Sequence, residues 1–375
     1  MVYLLISRPS GIRPCRARSS SALGRLNVDF LVIGAGHAGL AFAIEASSRG
    51  ARVALIERPR ARAKVGEIVE ASVEAPLRRL GVWHAFLEQD HLRSSGTRSL
   101  WSEQEPAERS AIVNPFGGGW FVDRGKFDLL LTERAATVGA RIFAVQDPPR
   151  LIDGQYMISI GDDVLTAPYA LEASGRHGAV VAPTERLAED DLVGVVGYID
   201  QPMADHLFRL EATAMGWWYA APLPGGSGVL ALMTYISILP RGTADKASFW
   251  QQSLKTLAKT GIECRLMPPR LYIHPASSVI RGRLYGDRWL AIGDAASAYD
   301  PLLGIGVVGA LVKGMAAAGV LSSGSDMDLA ARRYAELETT TFIRHKETRR
   351  RLYAQAAAER NGAFWEAVRR RGHAA

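Results

Sequence analysis

Phe30-Leu31-Val32-Ile33 is an apolar run without a polar break, the pattern of a short strand buried on both faces. A glycine-rich turn follows, and then a stretch of small residues through Ala46 that reads as a helix. A second apolar run, Ala51 to Ile56, ends at Glu57. Strand, glycine turn, helix and strand in that order predict a βαβ unit. The same buried-strand pattern returns late in the chain as Trp289-Leu290-Ala291-Ile292, ending in a Gly293-Asp294 turn. Beyond it, Leu302 to Leu321 is apolar, rich in Gly and Ala and interrupted by Lys313; its length would allow a membrane span, but its position after the Gly-Asp turn predicts a buried helix. Between these segments the period changes. Residues around Leu151 and Met157 alternate as in a hairpin, and Val193–Ile199, Gly216–Ala221 and Gly228–Tyr235 alternate or run apolar between Pro and Gly turns. Residues 327 to 371 are charged and helical in pattern, with apolar Tyr334, Leu337, Phe342 and Leu352.

The first glycine turn, Gly34-Ala35-Gly36-His37-Ala38-Gly39, fits the Gly-x-Gly-x-x-Gly dinucleotide fingerprint in its proper setting. Gly34 permits a tight turn, Gly36 lets the backbone approach a pyrophosphate, and Gly39 lets helix and strand pack closely. The phosphates would sit at the helix N-terminus, where unpaired N–H groups and the helix dipole favour negative charge. Glu57 lies about 20 residues past the middle glycine, where an acid binds ribose hydroxyls. Arg58 beside it, with His37 and Ala38 inside the turn, completes the candidate nucleotide contacts. This turn alone does not separate NAD from FAD.

The second motif does. Gly293-Asp294-Ala295-Ala296, running on into Asp300-Pro301-Leu302-Leu303-Gly304-Ile305-Gly306, resembles the flavoprotein monooxygenases of the para-hydroxybenzoate hydroxylase fold and their halogenase-like relatives. The resemblance covers most of residues 28 to 368. It implies an α/β fold: a Rossmann-like FAD-binding domain (28–182 and 281–324), an inserted mixed β-sheet on the substrate side (183–280), and a C-terminal helical segment (325–375). It also implies that Asp294 binds the FAD ribityl chain, and that Pro301, Gly304, Ile305 and Gly306 turn backbone N–H groups toward the flavin pyrimidine edge. Reduced flavin is negative there, so aimed donors stabilise it.

Three further segments match the same family. Val65-Gly66-Glu67 is similar to the Gly-Glu segment of the halogenase-like branch, which implies Glu67 near the flavin. Asp123-Arg124-Gly125-Lys126-Phe127-Asp128 looks like the Asp-Arg-x-x-Phe-Asp helix start, whose arginine reaches the FAD diphosphate or ribose; Asp123 also reads as a plain N-cap. Phe364-Trp365 resembles the C-terminal closure of that branch and implies a packing anchor.

Departures from the family narrow the chemistry. Halogenases of this branch carry a lysine ahead of a tryptophan, whereas Arg93 to Trp101 contains no lysine, which disfavours halogenation. The tryptophan strand reads Gly216-Trp217-Trp218-Tyr219-Ala220-Ala221-Pro222. Trp217, Trp218 and Tyr219 are the candidates to line a substrate pocket, and since neighbours in a strand face opposite ways, only one of the two tryptophans can do so. Leu171-Glu172-Ala173-Ser174-Gly175-Arg176 resembles the form found in halogenase and reductase branches, which leaves NADH, NADPH or an external reductase open as electron donor. Within the branch, the chain looks most like flavoproteins that modify a tryptophan in a partner quinoprotein. An aromatic small-molecule hydroxylase, an isoprenoid reductase and a non-catalytic flavin-binding assembly factor remain the alternatives. No acid–base triad is visible, and catalytic residues beyond the cofactor contacts are not assigned.

Composition closes off other classes. The chain has 375 residues, 48% of them apolar, enough for a large core. Two cysteines, Cys15 and Cys264, in no metal or redox spacing, argue against a disulfide scaffold and for a reducing, cytoplasmic setting, and no metal site is expected. A net charge of +7 comes partly from Arg349-Arg350-Arg351 and Arg369-Arg370-Arg371, which read as solvated helix faces without the interleaved aromatics of a nucleic-acid surface. The same charge suits an acidic partner or anionic substrate. Residues 1 to 27, with five arginines and no acid, form a basic extension expected to be disordered; transit-peptide and upstream-start readings both stand.

Overall fold

The computed structural model describes residues 24–57, 68–176, 178, 180–200, 202–257, 259–262, 268, 270–322 and 326–373. Arg58, Glu67 and most of the basic extension therefore lie outside the described residues.

Six strands make the sheet behind the nucleotide fingerprint, in the order Tyr285–Gly286, Trp289–Ala291, Tyr169–Glu172, Phe30–Ile33, Val53–Glu57, Arg141–Ala144. All neighbours are parallel except the first pair. The period of two explains why Phe30–Ile33 is apolar throughout. Phe30 and Val32 face the helices His37–Ser48 and Gly306–Leu321, while Leu31 and Ile33 face Tyr156, Ile158 and Leu165 of a smaller sheet behind. In that smaller sheet, Arg150–Ile152 and Gln155–Ile160 form the expected hairpin around Asp153-Gly154. The two helices cross where side chains are smallest: a Cβ on Gly314 would lie 2.2 Å from the Ala38 carbonyl oxygen and 3.0 Å from the Ala41 Cβ. That contact accounts for the Gly- and Ala-rich composition of the apolar helix. Among the described residues no helix is long and apolar enough to cross a membrane.

A seven-stranded mixed sheet stands apart from the first, in the order Leu271–Pro275, Leu192–Ile199, Ser227–Tyr235, Gly216–Leu223, Leu207–Thr213, Gly96–Leu100, Ala107–Ser110. Its single parallel pair joins Leu207–Thr213 to Gly96–Leu100, so two of its strands come from outside residues 183–280. One face packs under the helix Thr243–Leu254, with Trp218 against Trp250 at 4.5 Å between ring centroids. The other face is covered by the C-terminal helices Met327–Glu359 and Ala363–His373 through Tyr353, Phe364 and Trp365. Trp365 is fully buried and donates its indole N–H to the Thr213 carbonyl at 2.7 Å, as suits the anchor expected there. A three-stranded patch, Ile68–Val69, Trp120–Phe121 and Leu92–Arg93, lies between the two large sheets.

Candidate functional site

The three glycines of the fingerprint sit in different surroundings. Gly34 turns with φ +119°, and a Cβ there would lie 2.3 Å from the Ala173 carbonyl oxygen. Gly39 presses helix on strand, since a Cβ there would meet the Gly34 carbonyl oxygen at 2.0 Å. Gly36, by contrast, has no protein atom within 4 Å of the place a Cβ would take, and as N-cap it offers the helix no side-chain acceptor. An open N-terminus of this kind receives a phosphate. Beside it, His37 Nε2 lies 3.0 Å from Asp128 Oδ1, and Arg124 Nη2 lies 3.3 Å from the same oxygen. Arg124 opens the helix Arg124–Thr137, whose cap is Asp123: its carboxylate accepts from Gly125 N at 2.8 Å and Lys126 N at 3.1 Å. The cap and the phosphate-side arginine are thus successive residues of one helix start. Glu57 ends the strand adjoining the turn.

The second motif touches the first across more than 250 residues. Gly293 lies so close that a Cβ on it would come 2.5 Å from the Ala38 Cβ. Asp294, partly exposed, has its carboxylate 3.5 Å from Arg176 Nε, and Arg176 is fixed by donating to the Ser277 and Tyr299 carbonyls at 2.7 and 2.6 Å. The following loop is built for a second open helix start. Asp300 caps the turn Pro301–Leu303 by accepting from Leu302 N at 2.8 Å, Gly304 ends it in the left-handed region, and Ile305 leads into the helix at Gly306 without a side-chain cap. A Cβ on Gly306 would again meet no protein atom within 4 Å. Two uncapped helix N-termini with clear space before each, and a carboxylate between them, fit a long dianionic dinucleotide whose far end turns negative on reduction. FAD therefore fits the residues present.

Asp300 is also the hub of a buried network that sequence reasoning did not find. Its Oδ2 accepts from Arg349 Nε at 2.7 Å and from Tyr353 OH at 2.8 Å. The same tyrosine oxygen accepts from Trp217 Nε1 at 2.8 Å, and Arg349 pairs on its other side with Asp190. Burial works against the Arg349 charge, but Tyr353, Asp300 and Asp190 together raise its pKa above the ordinary arginine value. Arg349 is thus a buried ion-pair member and not part of a solvated arginine face, whereas Arg350 is exposed. Lys313, the break in the apolar helix, is likewise paired internally, 2.6 Å from Glu338.

The pocket candidates separate by face. Trp217 looks toward the C-terminal helices and the cofactor loop, within a cluster of Trp101, Tyr353 and Trp365, and is sealed from solvent. Trp218 points to the opposite face against Trp250 and takes no part in the site. Tyr219 shares the Trp217 side, 6.5 Å from it between centroids, and is partly exposed. Asp128 was missed as well, although it ends the Asp-Arg-x-x-Phe-Asp segment and could have been read there. Among the described residues no cluster of His, Cys, Asp and Glu is arranged to hold a metal.

A family model described as an FAD binding domain matches residues 29–65. The putative FAD-dependent oxidoreductase LodB of Marinomonas mediterranea is 28% identical over 357 residues, spanning 90% of this chain and 96% of that protein. Among solved structures, the peptidyl tryptophan dihydroxylase QhpG, described as essential for tryptophylquinone cofactor biogenesis, superposes with a TM-score of 0.75 at 24% identity, over 92% of this chain and 79% of that one. The flavin-dependent halogenase CmlS superposes with a TM-score of 0.76 at 20% identity, over 91% and 67% of the two chains. The fold is that of the halogenase-like flavin monooxygenases.

Proposed function

We propose that this FAD-dependent oxidoreductase oxygenates a tryptophan side chain of a partner protein, a quinoprotein precursor. The observation that carries the reading is an exposed apolar surface on residues 112–116. Ile112, Val113 and Phe116 are 93%, 78% and 72% exposed, more than any other large apolar side chain among the described residues. Solvent-facing apolar groups gathered in one segment mark a surface that meets another macromolecule. The segment runs into Gly119, where a Cβ would stand 2.5 Å from the Val69 carbonyl oxygen, and the next residue, Glu70, faces Gly304 of the cofactor loop. The net charge of +7 favours an acidic precursor.

Bound flavin, once reduced, supplies activation of dioxygen. The chain's residues have other tasks. Asp128, which holds His37 and Arg124, would set them for the diphosphate, Asp294 would hold the ribityl hydroxyls, and the uncapped start at Gly306 would favour negative charge on the flavin. Trp217, through Tyr353 and Asp300, ties the substrate-side sheet to that loop. NADH or NADPH, or an external reductase, is the proposed electron donor, in the cytoplasm. The absence of lysine between Arg93 and Trp101 supports oxygenation over halogenation.

The test is labelled dioxygen supplied to the FAD-loaded protein, a reductant and the isolated precursor, with the precursor digested and its tryptophans weighed. Label on a tryptophan supports the reading. Reoxidation of the flavin with an unlabelled precursor refutes it, and a stable complex formed alongside that result points to an assembly factor.

A further inference from the structure

Glu70 joins the strand Ile68–Val69 to the turn Ala71–Val73 in an extended conformation, and its side chain is partly buried. Its Oε1 lies 3.5 Å from the place a Cβ on Gly304 would take, so the carboxyl faces the turn that leads to the open helix start at Gly306. We propose that Glu70 is a proton-accepting carboxyl of the flavin site, ionised beside oxidised FAD and taking up a proton when the flavin is reduced.

Among the described residues, Glu70 has a hydroxyl and no charged group as its hydrogen-bond partner. Ser72 Oγ donates to Glu70 Oε2 at 3.3 Å, and among the described residues no arginine or lysine pairs with it. Burial raises its pKa, and Ser72 offsets part of that rise. The charged groups nearby are committed elsewhere. Arg93, on the strand flanking Trp120–Phe121, lies over the Trp120 ring at 4.7 Å. Glu74, on the next helix, holds Arg78 at 2.7 Å. Asp300, behind the loop, is bound to Arg349 and Tyr353. The helix opening at Gly306 has no acid in its first turn, and Lys64 and Glu67 lie outside the described residues.

The electrostatics fix the sign. Bound FAD taking two electrons from the titrating reductant and one proton of its own from solvent would carry one negative charge at its pyrimidine edge. A second negative charge on Glu70 then becomes costly, so the carboxyl binds one proton from solvent as the two electrons arrive. That proton remains on the chain until reoxidation returns it. The proposal requires only bound FAD, so it can fail while the tryptophan reading stands, and the reverse.

The experiment is the midpoint potential of bound FAD against pH, read from the flavin absorbance, for the native chain, Glu70→Gln and Ser72→Ala. Glu70→Gln should favour reduced over oxidised FAD by about tenfold at pH values where Glu70 is ionised. The difference should vanish where Glu70 is protonated, and the native potential should fall more steeply with pH in between. Ser72→Ala should carry that steep region to higher pH. Flavin absorbance per chain checks that each variant is loaded, and if Glu70→Gln does not hold FAD the Ser72→Ala shift decides alone. Coincident curves for Glu70→Gln and the native chain, or an offset constant with pH, overturn the proposal.

Discussion

Replacing Tyr353 by Phe removes one oxygen from the buried network and isolates two groups. The hydroxyl donates to the Asp300 carboxylate at 2.8 Å and accepts the Trp217 indole N–H at 2.8 Å, with Tyr353 only 3% exposed. A hydrogen bond to a charged group contributes roughly 1.5–3 kcal/mol, and a buried donor left without an acceptor costs about 1–3 kcal/mol. Asp300 keeps Arg349 and Leu302 N, so its share falls at the low end; Trp217 keeps nothing, so its share falls higher. Tyr353→Phe should therefore destabilise the protein by about 3 kcal/mol. Trp217→Phe removes the orphaned donor at the cost of a cavity, about 1–3 kcal/mol. If the two side chains act through the bond between them, the double variant loses less than the sum of the singles by about 1–2 kcal/mol. Urea unfolding of the four FAD-loaded proteins, followed by tryptophan fluorescence and circular dichroism together, gives all the terms. Additivity within about 0.3 kcal/mol would refute the link from substrate-side sheet to cofactor loop.

Gly36→Ala should leave the melting temperature of flavin-free protein unchanged yet lower bound flavin per chain, because the added Cβ meets no protein atom within 4 Å. Gly39→Ala should instead lower the melting temperature itself, its Cβ falling 2.0 Å from the Gly34 carbonyl oxygen; equal behaviour of the two variants would contradict their separate roles. His345, buried beside Tyr299, has its pKa lowered to about 4 by burial, with Arg349 and Lys313 adding to that and Asp300 opposing it. Because its neutral form is the folded one, its contribution is complete above the unfolded value near 6.5 and is lost as pH falls toward 4, about 3 kcal/mol in all. His345→Asn should flatten that part of the stability–pH curve, which acid-to-neutral urea titrations would detect. Chloride or bromide in the turnover mixture should yield no halogenated tryptophan by mass spectrometry.

What the sequence disclosed and what it concealed differ in physical kind. Gly34 and Gly39 are dictated by backbone geometry at one turn, so their spacing alone points to them, and close approach likewise dictates Gly293 against Ala38. The apolar helix after Gly306 was legible as buried from its place after the Gly293-Asp294 turn, and the close crossing at Gly314 explains its Gly and Ala content. The Asp300 network was not legible. Its members lie on a loop, a helix and a strand, with Tyr353 136 residues from Trp217 and Arg349 49 residues from Asp300. No local period records that pairing. Arg349 even sits in a run of three arginines, a pattern that on its own describes a solvated surface.

The concealed part is the part that joins the two sheets. The cofactor sheet and the substrate-side sheet share no strand, and the long helix Met327–Glu359 reaches both. Near its start Glu338 takes Lys313 of the cofactor helix, in the middle Arg349 and Tyr353 take Asp300, and toward its end Ala356 and Ala357 pack under the Trp217 face. These contacts are buried except for the partly exposed Lys313, and the charged ones are matched within hydrogen-bond distance. Removing a single partner leaves an uncompensated charge in the interior, which costs more than the pair contributes. The helix is therefore held in one place along its length, and it fixes the distance between cofactor loop and substrate-side sheet. Under the proposed function that distance has to be set before the partner arrives, since the partner's own backbone would limit how far its tryptophan can follow a yielding site.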